Sequence, residues 1–152
     1  MYGFIPKGSI MSATDMLMEL NASGTFAAND LVMTDGSTGE IVVATAGSRL
    51  TGVALEAATA ASTDVSVNIT PYLRGLMDND NVGETFAATH VLEWGDLTGG
   101  TGAMLVDSST LSSSVAQLMC LQYNPKGHNY DSDTSIGMFM ISESIWGSPY
   151  TE

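Results

Sequence analysis

The chain has 152 residues, enough for one domain with its own core. Charged residues make up only 14% of it, and 17 Asp and Glu face four Lys and Arg, so the formal net charge is −13. A surface this acidic repels nucleic-acid phosphates and anionic lipid headgroups, which argues against nucleic acid and membrane as partners. No apolar run approaches the ~20 residues of a membrane span, and no secretory signal pattern opens the chain, so we expect a soluble protein made in the cytosol.

The single cysteine, Cys120, excludes an intramolecular disulfide and a zinc site of the CxxC kind. It lies in the apolar run 115–123. We therefore predict that it is a small buried apolar residue.

The first predicted element, within residues 12–24, is ambiguous. Residues 12–15 have the form of a helix capping box, and Gly24 is a possible helix end. Met16, Met18 and Leu20 instead alternate as they would in a strand. We favour the strand.

The next segments predict β-structure more clearly. Apolar runs at 31–33 and 41–43 flank the Gly-containing loop 35–39, a pattern typical of a hairpin. Residues 51–55 form another short apolar run. In 64–70, apolar and polar residues alternate strictly, as in a half-buried strand.

The second half continues in the same style. We predict strands at 91–94, 103–106, 115–123 and 136–141, with the glycine-rich stretch 99–102 as a hairpin turn rather than a phosphate-binding loop. Short strands at this spacing, without long amphipathic helices, indicate an all-β protein, a small β-barrel or sandwich.

The sequence also contains an internal echo. The tetrapeptide at 25–28 recurs at 85–88, and each copy precedes an apolar pair, a glycine-containing loop and a second apolar run. This order suggests two related half-barrels. The alternative is that a β-protein has used similar turns twice.

No catalytic constellation is recognisable. The two histidines lie at no motif spacing from a nucleophile, and neither a G-x-S-x-G, an H-E-x-x-H nor a P-loop occurs. Residues 78–81 carry oxygen ligands suited to calcium, but Gly83 and Glu84 do not fit the calcium-loop spacing. We predict a solvated acidic turn there, and no enzyme activity, cofactor or metal.

The stretch 24–70 resembles the head decoration, or capsid cement, proteins of tailed bacteriophages. The resemblance rests on the runs 25–32, 35–36, 43–47, 51–57 and 65–67, and most of all on Gly-Val-Ala-Leu-Glu at 52–56. It implies a small β-barrel that binds the outer surface of the capsid and clamps neighbouring subunits of the major capsid protein, often as a homotrimer. The expected location is therefore the virion surface.

We divide the chain into an N-terminal arm (1–15), a β-barrel domain (16–123) and a C-terminal loop, strand and tail (124–152). The arm and the apolar C-terminal segment are expected to contact the capsid or a neighbouring copy, with the two strand-flanking arginines available for ion pairs. The predicted contact residues are Tyr2, Phe4, Ile5, Arg49, Arg74, Met138, Met140, Trp146 and Tyr150.

Two other classes of function remain open. One is a tail or fibre module that binds carbohydrate, in which Trp94, Trp146 and Tyr150 would stack on sugar rings. The other is a small ligand-binding or enzymatic barrel, which needs a cavity with convergent polar groups that no sequence pattern indicates.

Overall fold

The computed structural model describes residues 3–10, 12–59, 63–80, 86–123 and 136–146. These residues form strands and two single 3-10 turns, Ala88–His90 and Ser108–Thr110, as expected for an all-β protein. The strands are β1 (Ile5–Ser9), β2 (Leu17–Ala22), β3 (Leu31–Thr34), β4 (Ile41–Val43), β5 (Gly52–Ala54), β6 (Thr63–Asn68), β7 (Leu73–Asp78), β8 (Trp94–Gly95), β9 (Leu97–Thr98), β10 (Leu105–Val106), β11 (Leu118–Tyr123) and β12 (Ile136–Ile141).

Five consecutive strands close a barrel in the order β2-β4-β3-β5-β6. Residues 17–22 are a strand rather than a helix, as favoured from their alternation. The hairpin prediction is confirmed, since β3 pairs with β4 and Val32 lies opposite Val43. Asp35 orders the hairpin turn by accepting hydrogen bonds from the backbone N–H of Ser37 at 2.9 Å and its hydroxyl at 2.8 Å, which lowers the pKa of the Asp35 carboxyl.

The barrel interior is filled by the alternate residues of its strands. Val65 and Val67 of β6 point inward and are almost fully buried, whereas Ser66 between them is only partly covered. Two-residue periodicity therefore sends one face of the strand into the core. The interior cluster comprises Ala22, Phe26, Val32, Ile41, Ala54, Ala58, Val65, Val67 and Ile69.

A second sheet has the order β1-β7-β12-β11-β8, and β9 and β10 form a separate two-stranded ribbon. The strand predicted at 136–141 is confirmed, the one predicted at 115–123 begins at Leu118, and β12 lies between β7 and β11. The strand predicted at 91–94 is wrong over most of its length. His90 Nδ1 accepts a hydrogen bond from the Ala87 N–H at 3.0 Å to hold a 3-10 turn, and Leu92 has a positive φ of 69°, so extended pairing begins only at Trp94.

The larger apolar core lies between the outer face of the barrel and the second sheet. Leu31, Leu50 and Val53 of the barrel contribute to it, and all three are fully buried. The sheet and ribbon contribute Leu73, Met77, Leu97, Val106, Leu118, Cys120, Phe139 and Ile141, with Phe4, Ala44, Phe86 and Met104 completing the cluster. Both faces of the barrel strands are therefore buried where the sheet covers them.

The half-barrel interpretation does not match this topology, because residues 17–68 close the barrel on their own. Phe26, in the first copy of the repeated tetrapeptide, fills the barrel interior and bridges to Ala58. Phe86, in the second copy, packs edge-to-face on Phe139 in the larger core. The two copies have different structural roles.

The loop before β3 is tied to the turn between β9 and β10. The buried carboxylate of Asp30 accepts hydrogen bonds from the N–H of Ala27 at 2.8 Å and the N–H of Gly102 at 2.9 Å. The Thr101 hydroxyl donates to the Thr25 carbonyl at 3.1 Å. The glycine-rich stretch 99–102 is thus the predicted hairpin turn, and it braces the barrel.

Candidate binding surface

The structure places the N-terminal contact candidates inside the fold. Phe4 is fully buried, and its ring lies so close to Gly75 that a β-carbon there would overlap it. Ile5 is half-buried in β1, opposite Leu76 of β7. Residues 5–9 therefore form an edge strand of the second sheet, anchored by buried Phe4, and are not a free arm, while Tyr2 lies outside the described residues.

The two arginine candidates differ in their environments. Arg74 reaches back to β1, where its guanidinium donates to the carbonyl of Lys7 at 3.1 Å and to the carbonyl of Gly8 at 3.3 Å. These bonds stabilise the bulge that interrupts the β1–β7 register between Pro6 and Ser9. Arg49 is exposed in the loop between β4 and β5 and is the better placed of the two for an external partner.

The C-terminal candidates mostly contribute to the core. Met140 is buried and Met138 half-buried on β12, so this strand is structural rather than a surplus apolar segment. Trp146 is 42% exposed, but its indole N–H donates to the Thr51 carbonyl at 2.6 Å and fastens the chain to the barrel. Tyr150 lies outside the described residues.

The tryptophans of the carbohydrate alternative are both anchored within the chain. Trp94 is half-buried, and its indole N–H donates to the Ser142 hydroxyl at 3.1 Å. Trp146 keeps part of its ring exposed. Carbohydrate binding remains a prediction.

The most apolar exposed segment is one that the sequence reading did not select. Met16, Leu17 and Met18 are 50%, 60% and 38% exposed at the start of β2, and Ile10 is 54% exposed. The register links these residues to one end of the barrel, because the Ile10 N–H bonds to the Tyr72 carbonyl and the Met16 carbonyl accepts from the Ile69 N–H at 2.9 Å. We call residues 16–20 the open edge.

The open edge has this name because, among the described residues, only one side of it is paired. β2 pairs with β6 along its whole length, from Leu17 opposite Asn68 to Ala22 opposite Thr63. On its other side it meets β4 only where Ala22 lies opposite Ile41. The β3–β4 turn occupies residues 35–39, so β4 starts too late to reach the first half of β2.

The backbone of Leu17 and Glu19 is directed toward this unpaired side. Antiparallel ladders alternate between residues that bond to the partner strand and residues that face away from it. Because the Met16 carbonyl bonds to the Ile69 N–H, Met16 and Met18 belong to the set bonded to β6. The N–H and C=O groups of Leu17 and Glu19 therefore point outward, where no described strand meets them.

The surroundings of the open edge are acidic. Glu19 is exposed on the edge itself, and Asp15 is exposed directly before it. Asp64 is exposed opposite Asn21, whose amide donates to it at 3.0 Å. Glu56 accepts from the Ser66 N–H at 2.8 Å on the neighbouring strand. The edge thus combines exposed apolar side chains with carboxylates.

A signal for this surface was present in the sequence. Met16, Met18 and Leu20 form one apolar face of the strand, and Leu17 adds an apolar residue to the other face. A strand at a barrel end that is apolar on both faces leaves at least one large side chain uncovered unless something else packs on it.

The structure also locates the cysteine and the predicted acidic turn. Cys120 is buried as predicted, and desolvation raises the pKa of its thiol to about 11. The Asp80 carboxylate accepts from the N–H and hydroxyl of Ser108 at 2.9 and 3.0 Å, and Asn81 lies outside the described residues. Within the described ranges, no three His, Cys, Asp or Glu side chains gather into a potential metal site.

No family model, curated protein or solved structure matches this chain. Over the part of the chain that the structure describes, no helix has the length and hydropathy of a membrane span.

Proposed function

We propose that this protein is a capsid decoration protein, which binds the outer surface of a phage head and stabilises the lattice of the major capsid protein. The observation that carries the proposal is the overlap between the resemblance and the barrel. The resemblance to decoration proteins spans residues 24–70, which contain β3, β4, β5 and β6, four of the five strands that close the barrel, and β2 precedes them. The resemblance implies a small β-barrel, and the segment that bears it supplies most of one.

The residues of the central motif at 52–56 have defined structural roles within that barrel. Gly52 lies so close to β6 that a β-carbon would overlap the Asn68 carbonyl and crowd Val67. Ala54 faces the barrel interior opposite Val67, and Glu56 caps the Ser66 N–H. The motif therefore closes the barrel between β5 and β6, which supports treating the resemblance as one of fold.

The surface suits a protein that docks on a protein shell around packaged DNA. A net charge of −13 disfavours adhesion to nucleic acid. The open edge supplies an apolar area for a protein partner. A threefold arrangement on the shell follows from the resemblance alone.

The test uses empty shells assembled from the major capsid protein encoded in the same genome. We expect the purified protein to sediment with expanded shells at a fixed number of copies per subunit and to raise the temperature at which the shells disrupt. A cryo-EM map of decorated shells would show its position and symmetry. Failure to sediment with the shells at micromolar concentration would contradict the proposal.

Salt dependence separates two ways of binding. With only four basic residues in the chain, we expect apolar and main-chain contacts to dominate, so that most copies stay bound between ~0.1 M and ~1 M NaCl, where the Debye length falls from about 10 Å to about 3 Å. Release of most copies over that range would assign the binding to ion pairs and make exposed Arg49 the first residue to examine.

A further inference from the structure

We propose that the open edge of β2 is a docking strand, to which an extended, lysine- or arginine-bearing segment of the partner protein adds as a further strand. The identification of that partner as the major capsid protein rests on the proposed function. The surface itself is argued from the geometry of residues 16–20.

The main chain supplies the first argument. An edge strand with outward N–H and C=O groups is a template for another strand. Leu17 and Glu19 present such groups, and β4 leaves room beside them because its pairing with β2 is confined to Ala22. An incoming segment of three or four residues would continue the ladder that β4 begins.

The side chains supply the second argument. Leu17 is 60% exposed on the outer face of β2, and Met18 is 38% exposed on the opposite face. A strand added at this edge would have both faces flanked by apolar side chains, with which its own alternate residues would pack as cross-strand neighbours. Such pairs favour an extended partner whose apolar residues lie beside Leu17 or beside Met18.

The negative charge around the open edge favours a different protein over a second copy of this chain as the partner. Glu19 lies on the edge, Asp15 directly precedes it, and Asp64 lies on the strand beside it. Pairing two open edges would bring these carboxylates against their own copies, and like charges directly opposite each other are destabilising. A segment with Lys or Arg between its apolar residues would instead meet opposite charges.

The edge at β1 shows what protection looks like in the same molecule. Pro6 pairs opposite Gly75 although it has no N–H, so its nitrogen occupies the outward side and offers no donor there. Lys7 is exposed, and a bulge with Gly8 at φ 86° interrupts the strand. These are devices that discourage strand addition, and the open edge of β2 has no proline, lysine or bulge.

The decisive variant is Glu19→Pro, with Glu19→Gln as its matched control. Proline at 19 removes an outward N–H and leaves the bonds of Met18 and Leu20 to β6 in place. Glutamine keeps the N–H and the acceptor for the Ser66 hydroxyl, and removes only the charge. We expect shells to bind the proline variant at least about tenfold more weakly, as for the loss of one hydrogen bond, and the glutamine variant about threefold more weakly at low salt.

A second measurement does not depend on the shells or on the variant folding. The probe is a Lys-Val-Lys-Val-Lys-Val peptide, with Glu-Val-Glu-Val-Glu-Val and a Pro-interrupted peptide as controls. In NMR spectra of the wild-type protein, we expect the lysine peptide alone to shift the Leu17 and Glu19 amides and to slow their exchange with solvent, while the amides of β1 stay unchanged.

The outcomes separate this inference from the proposed function. Shells that bind wild type and a folded Glu19→Pro variant equally would overturn the docking strand and leave the decoration proposal intact. Amide shifts by the lysine peptide without any binding to shells would support the edge and remove the capsid as its partner. Equal shifts by both charged peptides, or shifts confined to β1, would overturn the inference.

Discussion

The barrel and the second sheet are built from the chain in opposite ways. The barrel takes its five strands from one continuous stretch, residues 17–68. The second sheet gathers β1 from the N-terminus, β7 from the middle, and β8, β11 and β12 from the second half. The barrel is closed, apart from the open half of β2, whereas the sheet ends in two edge strands.

This difference does not make the two regions independent. The barrel alone would leave Leu31, Leu50 and Val53 exposed on its outer face, because these residues belong to the larger core shared with the sheet. The sheet alone would lose the surface against which Phe4 and Phe139 pack. The shared core therefore predicts one cooperative unfolding transition.

The largest expected effect tests that cooperativity. Phe4→Ala removes a buried ring from the shared core, and Phe26→Ala removes one from the barrel interior. Each is expected to lower the free energy of unfolding by about 3–5 kcal/mol. Urea unfolding followed by tryptophan fluorescence and by far-UV circular dichroism should give coincident transitions in both variants.

Transitions that separate in Phe4→Ala alone would show that the barrel survives without the sheet. The shared core also means that a truncation which removes core residues changes the stability of the whole protein. Deleting residues 1–7 removes Phe4 and three of the five residues of β1, so its first consequence is lost stability. Weaker binding of that truncation to shells would not by itself identify a contact.

The next effect concerns Cys120, the only thiol of the chain, which β11 of the sheet places in the shared core. The folded protein holds this thiol protonated up to a pKa of about 11, whereas its ordinary value is 9.0. Above pH 9 the unfolded chain loses this proton and the folded chain keeps it, so the free energy of unfolding should fall as pH rises. The full loss, reached near pH 11, is about 2–3 kcal/mol.

The measurement is urea unfolding between pH 8 and pH 11, with Cys120→Ala as the control. The alanine variant starts from a lower stability, and its pH profile should lack the part of the decline that belongs to the thiol. Equal slopes for both proteins would show that Cys120 titrates normally in the folded state. Native protein should also react slowly with a thiol reagent at pH 8, because the nucleophile is the thiolate.

A pair of glycines gives a smaller effect and compares the stiffness of the two regions. A β-carbon at Gly52 would overlap the backbone carbonyl of Asn68, and one at Gly75 would overlap the Phe4 ring. A side chain can rotate away more readily than a paired strand can move, so Gly52→Ala should destabilise more than Gly75→Ala, both within about 1–3 kcal/mol. Replacing Phe4 by Leu should reduce the cost of Gly75→Ala only.

The same contrast explains what was predictable from the sequence. Barrel strands follow one another along the chain, and local pattern identifies most of them: β6 by its alternation at 64–70, and β3 and β4 as apolar runs around a glycine-containing turn. Only β2 was ambiguous from its sequence. β1 contains Pro6 and Gly8, and β7 contains Gly75, so neither shows the pattern of a strand. Those glycine and proline positions are explained only by contacts with residues about 70 positions away.

The contact residues were less predictable than the fold. The sequence predicts an interface role for Phe4, because it lies in an aromatic-bearing segment before the barrel, and for Met140, because its segment holds more apolar residues than one strand needs. In the structure their partners are other distant segments, and they fill the shared core. A run of exposed apolar residues lies instead at the start of β2, where β4 begins too late to pair and no other described strand covers the edge. This feature depends on pairing register and not on composition.

The smallest expected effect compares one arginine from each region. Arg74→Gln removes a guanidinium that bonds to the Lys7 and Gly8 carbonyls, whereas Arg49→Gln changes an exposed side chain in a barrel loop. Two hydrogen bonds from a partly exposed charge to an edge strand contribute about 1 kcal/mol net, because water replaces part of what is lost. We expect Arg74→Gln to lower the free energy of unfolding by that amount and Arg49→Gln to leave it within about 0.5 kcal/mol of wild type. Amide exchange sharpens the comparison, since protection should fall in β1 of Arg74→Gln and stay unchanged throughout the barrel. If both substitutions are neutral and β1 keeps its protection, Phe4 and the β1–β7 ladder hold the edge strand without help from the guanidinium.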